Sequence, residues 1–133
     1  MLTEGLNLKM EEQKLSAIRS ALRGLNALSV EIEASAAISG DGFVIASVLE
    51  SSVNAERFGA MCASLLALAD RAAQEINLGN LKQVVLVGEN GSMLLVQAGP
   101  DAVLVVSARA ALNLGRLFID AAKVAEKIRD LIA

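Results

Sequence analysis

Few groups in this 133-residue chain could do chemistry, and the first to test is the run Ser39-Gly40-Asp41-Gly42-Phe43-Val44. Two glycines about an acid could wrap a phosphate, or they could turn one strand into the next. A dinucleotide loop needs a third glycine and then a helix whose N-terminus meets the pyrophosphate. Ile45 stands where that glycine would be, and the residues after it read as a strand. No Gly-x-x-x-x-Gly-Lys-Ser/Thr loop occurs elsewhere. Asp-Gly between two strands is ordinary hairpin chemistry, so the run reads as a turn.

Other chemistry is excluded by composition. The chain has no histidine, which removes Ser-His-Asp and Cys-His catalysis together with His-containing metal sites. Cys62, the single cysteine, lies in FGAMCASLLAL, the setting of a small buried hydrophobe and not of a nucleophile. No spacing recommends a pair of carboxylates. Arg57 and Arg71 are the arginines to weigh as fingers acting in trans, but no motif singles out either, and both read as solvated flanks. No catalytic, cofactor-binding or metal-ligating residue is therefore assigned. The chain is expected to need no cofactor and to act without catalysing a reaction itself.

The bulk properties point the same way. A net charge of −3, no basic run, and neither Tyr nor Trp argue against a nucleic-acid groove. Hydrophobic residues make up 54% of the chain, yet none of its apolar runs approaches the roughly 18 residues of a membrane span, so no membrane insertion is expected. The start, MLTEGLNLKMEEQ, has no apolar block and does not read as a secretory signal. One cysteine cannot form an internal disulfide, and a cytoplasmic location is the simplest expectation. The length suits one domain, placed at 10–133 after a flexible N-terminal segment, 1–9.

The periodicities supply the frame. Residues 10–28 place Leu15, Ile18, Leu22 and Leu25 on one narrow helical face. Residues 30–39 alternate, with Val30, Ile32, Ala34, Ala36 and Ile38 on the apolar side, and 43–49 reads as a second strand. A helix follows over 54–77, with Asn54 as its N-cap. Strands at 82–88, 92–98 and 102–108 are separated by Glu89-Asn90-Gly91 and Gly99-Pro100-Asp101, and Asn-Gly is a strong hairpin signal because both residues tolerate positive φ. A last helix runs from about 110 to 132, with Gly115 expected to allow a close helix–sheet approach. The order α-β-β-α-β-β-β-α, with strands apolar on both faces, predicts an α/β (α+β) domain in three layers.

The middle helix is the informative one. Phe58, Met61, Cys62, Leu65, Leu66, Leu68, Ala69, Ala72 and Ile76 define a broad buried face. The opposite face begins Gly59, Ala60, Ala63, Ser64, Ala67, with no charge between Arg57 and Asp70. An exposed alanine-rich helix chosen for propensity would look like this. The reading adopted is that the face packs on a second helix, its own copy across a two-fold axis. On that reading an arginine at Ala63 should give a folded monomer.

Three stretches carry a family resemblance: ISGDGFVIAS, VVLVGENGSMLLVQAGPDAVLVVSA, and ARAALNLGRLFIDAAKVAEKI with its Asn113-Leu114-Gly115. From about residue 12 to 133 the chain resembles the roadblock family, which includes roadblock-type dynein light chains and the prokaryotic partners of Ras-like GTPases. The resemblance implies one five-stranded antiparallel sheet, with the middle helix on one face and the terminal helices on the other. It also implies a homodimer, or a heterodimer with a roadblock paralogue, in which the middle helices pair and the third strands join edge to edge. The matching positions are Gly59, Ala60, Ala63, Ser64 and Ala67 on the helix and Lys82, Val84 and Leu86 on the strand. Arg57, Asp70, Arg71 and Gln74 border this surface as a possible partner surface.

By that resemblance the chain is a dimeric adaptor or regulator of a Ras-like small GTPase, affecting its GTP hydrolysis or its localisation. Such work needs a shaped surface and no histidine or metal. A structural scaffold subunit, as in the dynein-type relatives, would bind without regard to nucleotide. A small-molecule sensor would need converging polar groups in a pocket, which the apolar strands do not offer.

Overall fold

The computed structural model describes residues 2–109 and 113–133, with side chains from residue 8 onward. Helix α1 spans Leu2–Ala27 and is followed by β1 (Ile32–Ser39), β2 (Val44–Val48), α2 (Ala55–Glu75), β3 (Gln83–Val87), β4 (Gly91–Gln97), β5 (Ala102–Arg109) and α3 (Leu114–Ile132). The expected order holds, while several boundaries move. Helical backbone already begins at Leu2, so the expected break between a 1–9 segment and a helix from 10 is not seen. Gly5 alone interrupts a run of ordinary helix formers there, and one glycine costs about 1 kcal/mol. The expected start of the last helix at 110 lies outside the described residues.

Burial follows the periodicity only where an element reaches the sheet. Ile18, Leu22 and Leu25 are at most 2% exposed, but Leu15, expected beside them, is 37% exposed. Val30, expected to lead β1, is 90% exposed. Residues 28–32 make turns instead, with Leu28 N–H donating to the Leu25 carbonyl and Ile32 N–H to that of Ser29. The strand therefore starts at Ile32.

The five strands lie in the order β2-β1-β5-β4-β3, and all four neighbouring pairs are antiparallel. Alternation along the strands makes two unequal cores. Ala37, Leu94, Val96, Leu104 and Val106 point to the side where α1 and α3 pack, with Leu22, Leu25, Leu117, Ala121 and Ile128. Ala36, Ile38, Leu95, Val103 and Val105 point to the other side and meet Cys62 and Leu66 of α2. Two helices thus cover one face and one helix covers the other. Ser35, the buried polar residue on the two-helix side, donates its hydroxyl to Asn26 Oδ1 at 2.6 Å and so ties β1 to α1.

Two turns differ in detail from their expected chemistry. The β3–β4 hairpin closes through Gly88 N–H to the Gly91 carbonyl at 2.8 Å, and neither Asn90 nor Gly91 takes a positive φ. Gly91 is needed for space, because a Cβ there would strike the Ala108 carbonyl oxygen across the sheet. Gly115, expected against the sheet, is exposed. Among the described residues, the atom near its would-be Cβ is Asn113 Oδ1, at 3.3 Å, and that oxygen caps α3 by accepting from Arg116 N–H.

Candidate functional site

The Ser39–Val44 run is a turn. Ser39 N–H donates to the Phe43 carbonyl at 2.8 Å and Gly42 N–H to that of Ser39 at 2.9 Å. Gly42 takes φ +91° and lies against α2, where a Cβ would come within 3.1 Å of Ala60 Cα. The approach is mutual, because a Cβ on Gly59 would meet the Gly42 carbonyl oxygen at 2.5 Å. Gly59 therefore owes its size to this turn. Assigned from sequence to a pairing face, it is buried inside the molecule. Ala63 leans the same way and is half-buried, with its Cβ beside Gly42.

The rest of that assigned face does look outward. Ala60, Ser64 and Ala67 are exposed. They are joined by Met61 and Leu68, 59% and 66% exposed, which the periodicity places in the buried face. Ala72 and Ile76 are exposed as well. The true buried stripe is narrower and centres on Gly59, Cys62, Leu66 and Ala73, because one helix on a twisted sheet touches along a line. The outward surface of α2 is apolar and small in its middle, with Arg57 and Arg71 at either end, both exposed.

β3 is an edge strand. Val85, Leu86 and Val87 are 36%, 40% and 73% exposed, while Val84 is half-buried against the α2-side core. Leu86 stands opposite Met93, on the same side of the sheet as α2, and Val85 opposite Leu94, on the other side. Lys82 falls just outside the strand, its carbonyl accepting from Gln97 N–H at 3.0 Å. Since that carbonyl faces β4, residues 82, 84 and 86 turn their peptide groups inward. Gln83, Val85 and Val87 turn theirs to the free edge.

Of the remaining residues named from sequence, Asp70 is half-buried and accepts Leu81 N–H through Oδ1 at 3.3 Å, pinning the α2–β3 connection. Gln74 is exposed and donates to the Gly79 carbonyl at 3.2 Å. Cys62 is buried, and burial pushes its thiol from an ordinary 9.0 up to about 11. Burial thus disfavours the thiolate, the reactive form. No described helix is long and apolar enough to cross a membrane.

The chain is similar to known proteins. The Roadblock/LC7 domain model matches residues 15–108. The uncharacterized protein MJ1340 of Methanocaldococcus jannaschii is 44% identical over 98 residues, which are 74% of this chain and 85% of that one. Among solved structures, an MglB with tetrameric arrangement superposes with a TM-score of 0.82 at 18% identity, covering 89% of each chain. The gliding protein MglB of Thermus thermophilus gives 0.80 at 16% identity, covering 89% of this chain and 90% of that one. At such identities the structural likeness is one of fold.

Proposed function

The chain belongs to the Roadblock/LC7 family, and from that membership we propose a non-catalytic, self-associating adaptor or regulator of a Ras-like small GTPase. The observation that carries the proposal is an apolar, regular and open β3 edge together with an uncharged stretch of exposed α2 surface. An open edge of this kind is a liability in a lone protomer, and a second copy relieves it.

Geometry narrows the pairing. Antiparallel joining of two β3 edges places the two-fold axis perpendicular to the sheet, so both α2 helices lie on one face of the combined sheet. Residues directly opposite must then share a face. A centre at Val85 pairs it with itself and Gln83 with Val87 of the second copy. All three outward-facing residues are used, giving six inter-copy hydrogen bonds, whereas a shift of one residue leaves four. Ala60, Met61, Ser64, Ala67 and Leu68 supply the α2 contact, with Val84 and Leu86 beneath on β3. Gly59 and Ala63 support the helix from within.

The GTPase assignment rests on the family resemblance, and an open surface without a nucleotide loop suits it: the GTPase brings its own nucleotide. Capture from source-cell lysate on the immobilised protein, with GDP or a non-hydrolysable GTP analogue, tests it. Retention of a small GTPase with the analogue alone supports a regulator. Capture indifferent to nucleotide favours a scaffold subunit and overturns the regulator reading.

A further inference from the structure

Between α2 and the end of the sheet that carries the β1–β2 turn lies a cleft of about 170 Å³. Leu66, Ala63 and Val103 form its apolar wall, and Asp70, Gln97 and Ser39 bring polar groups to it. Its rim reaches Ala67, on the exposed surface of α2. Asp70 has given Oδ1 to Leu81 N–H and makes no ion pair among the described residues. Its second oxygen has no hydrogen-bond partner among the described residues, and Gln97 lines the same cleft.

We propose that this cleft is an anchor site for an arginine side chain presented by a protein partner that docks on the α2 side. The wall of Leu66, Ala63 and Val103 accepts the aliphatic stem. The free Asp70 oxygen and Gln97 Oε1 accept from the guanidinium, whose donors diverge from one plane and can serve two acceptors together. A lone ammonium offers one compact point of charge, and the fork is the better match for a carboxylate and an amide that line one cleft. The proposal deepens the reading of the α2 side as a contact surface. It does not depend on which protein docks, and it shares Ala67 with the proposed pairing surface.

The carboxylate has a structural duty, pinning Leu81, and the test must separate the two roles. Asparagine keeps an Oδ1 that accepts Leu81 N–H and removes only the charge, so Asp70→Asn should fold normally. ¹⁵N-labelled protein is titrated with N-acetyl-arginine amide and, in parallel, with its neutral isostere N-acetyl-citrulline amide. Saturable shifts are expected at Ala67, Asp70 and Gln97 with the arginine probe, and about fivefold weaker saturation in Asp70→Asn. Equal binding of citrulline, unchanged binding by Asp70→Asn, or shifts confined to other acidic surfaces such as Glu31 and Glu33 would overturn the site. Because the probe is one amino acid, a failure here is distinct from a failure of self-association or of GTPase capture.

Discussion

The two edges of this sheet are built from similar residues and behave as opposites. β2 reads Val-Ile-Ala-Ser-Val and β3 reads Gln-Val-Val-Leu-Val. In β2 the pairing with β1 shifts between Ala37 and Ile38, which leaves Ile45 as an extra residue. A bulge bends and twists an edge away from further pairing. Ile45 and Val48 also pack into the two-helix core, and Val44 packs into the α2-side core. β3 keeps five consecutive partners on β4 without a shift, and its outer apolar side chains are exposed. An edge is closed by irregularity and cover, not by polarity, and sequence composition alone would not tell these two apart.

The sharpest way to break that contrast is to remove a donor from the open edge. Val85→Pro takes away an N–H that faces outward, which an edge strand tolerates. It should weaken self-association by about 2–4 kcal/mol, read as a fall to monomer mass in light scattering with unchanged far-UV circular dichroism. Ser47→Lys, on β2, should leave the mass untouched. A dimer that survives Val85→Pro but not Ser47→Lys would reverse the assignment of the edges.

Next in size is Gly59→Ala, which drives a methyl group into the Gly42 carbonyl beside the closed edge. A loss of about 1–3 kcal/mol in unfolding free energy is expected, measured by urea denaturation of the Val85→Pro monomer, where association cannot mask it. Ser64→Arg charges the exposed α2 surface without touching the fold. It should weaken pairing by about 1–2 kcal/mol through juxtaposed like charges, with little change in that monomer's stability. It replaces the arginine at Ala63 suggested by periodicity, since Ala63 faces the Gly42 turn and a long side chain there tests packing. Smallest is Asn54→Ala, which removes the oxygen that accepts Arg57 N–H at 3.1 Å. About 1 kcal/mol of monomer stability should go, with dimer mass unchanged.

Much of the architecture is legible because local rules agree with the tertiary outcome. The Asp41-Gly42 turn and the Asn54 cap each act over a few residues, and each is where the sequence puts it. The single apolar face expected along β1 is not, because its pairing with β5 shifts between Ile32 and Ala34; Ile32 joins the two-helix core while Ala36 and Ile38 join the α2-side core. What escapes depends on a neighbour far away in the chain. Gly59 reads as one more small residue on a pale helix face until Gly42 is placed against it. Met61 and Leu68 read as core until the line of contact between α2 and the sheet shows how narrow the buried stripe is. Asp70 reads as a surface charge, because nothing near it in sequence announces that Leu81 will fold back onto its carboxylate.

The unequal division of the core has a consequence for hydrogen exchange. α1 and α3 share one large apolar cluster and lean on each other, so their central amides should exchange only when the whole domain opens. α2 lies alone on its face, held by a short buried stripe, the Gly42–Gly59 contact and the Asp70 pin. It belongs to the part of the molecule that opens locally and first, so its amides should report, by slowing, the arrival of whatever covers it.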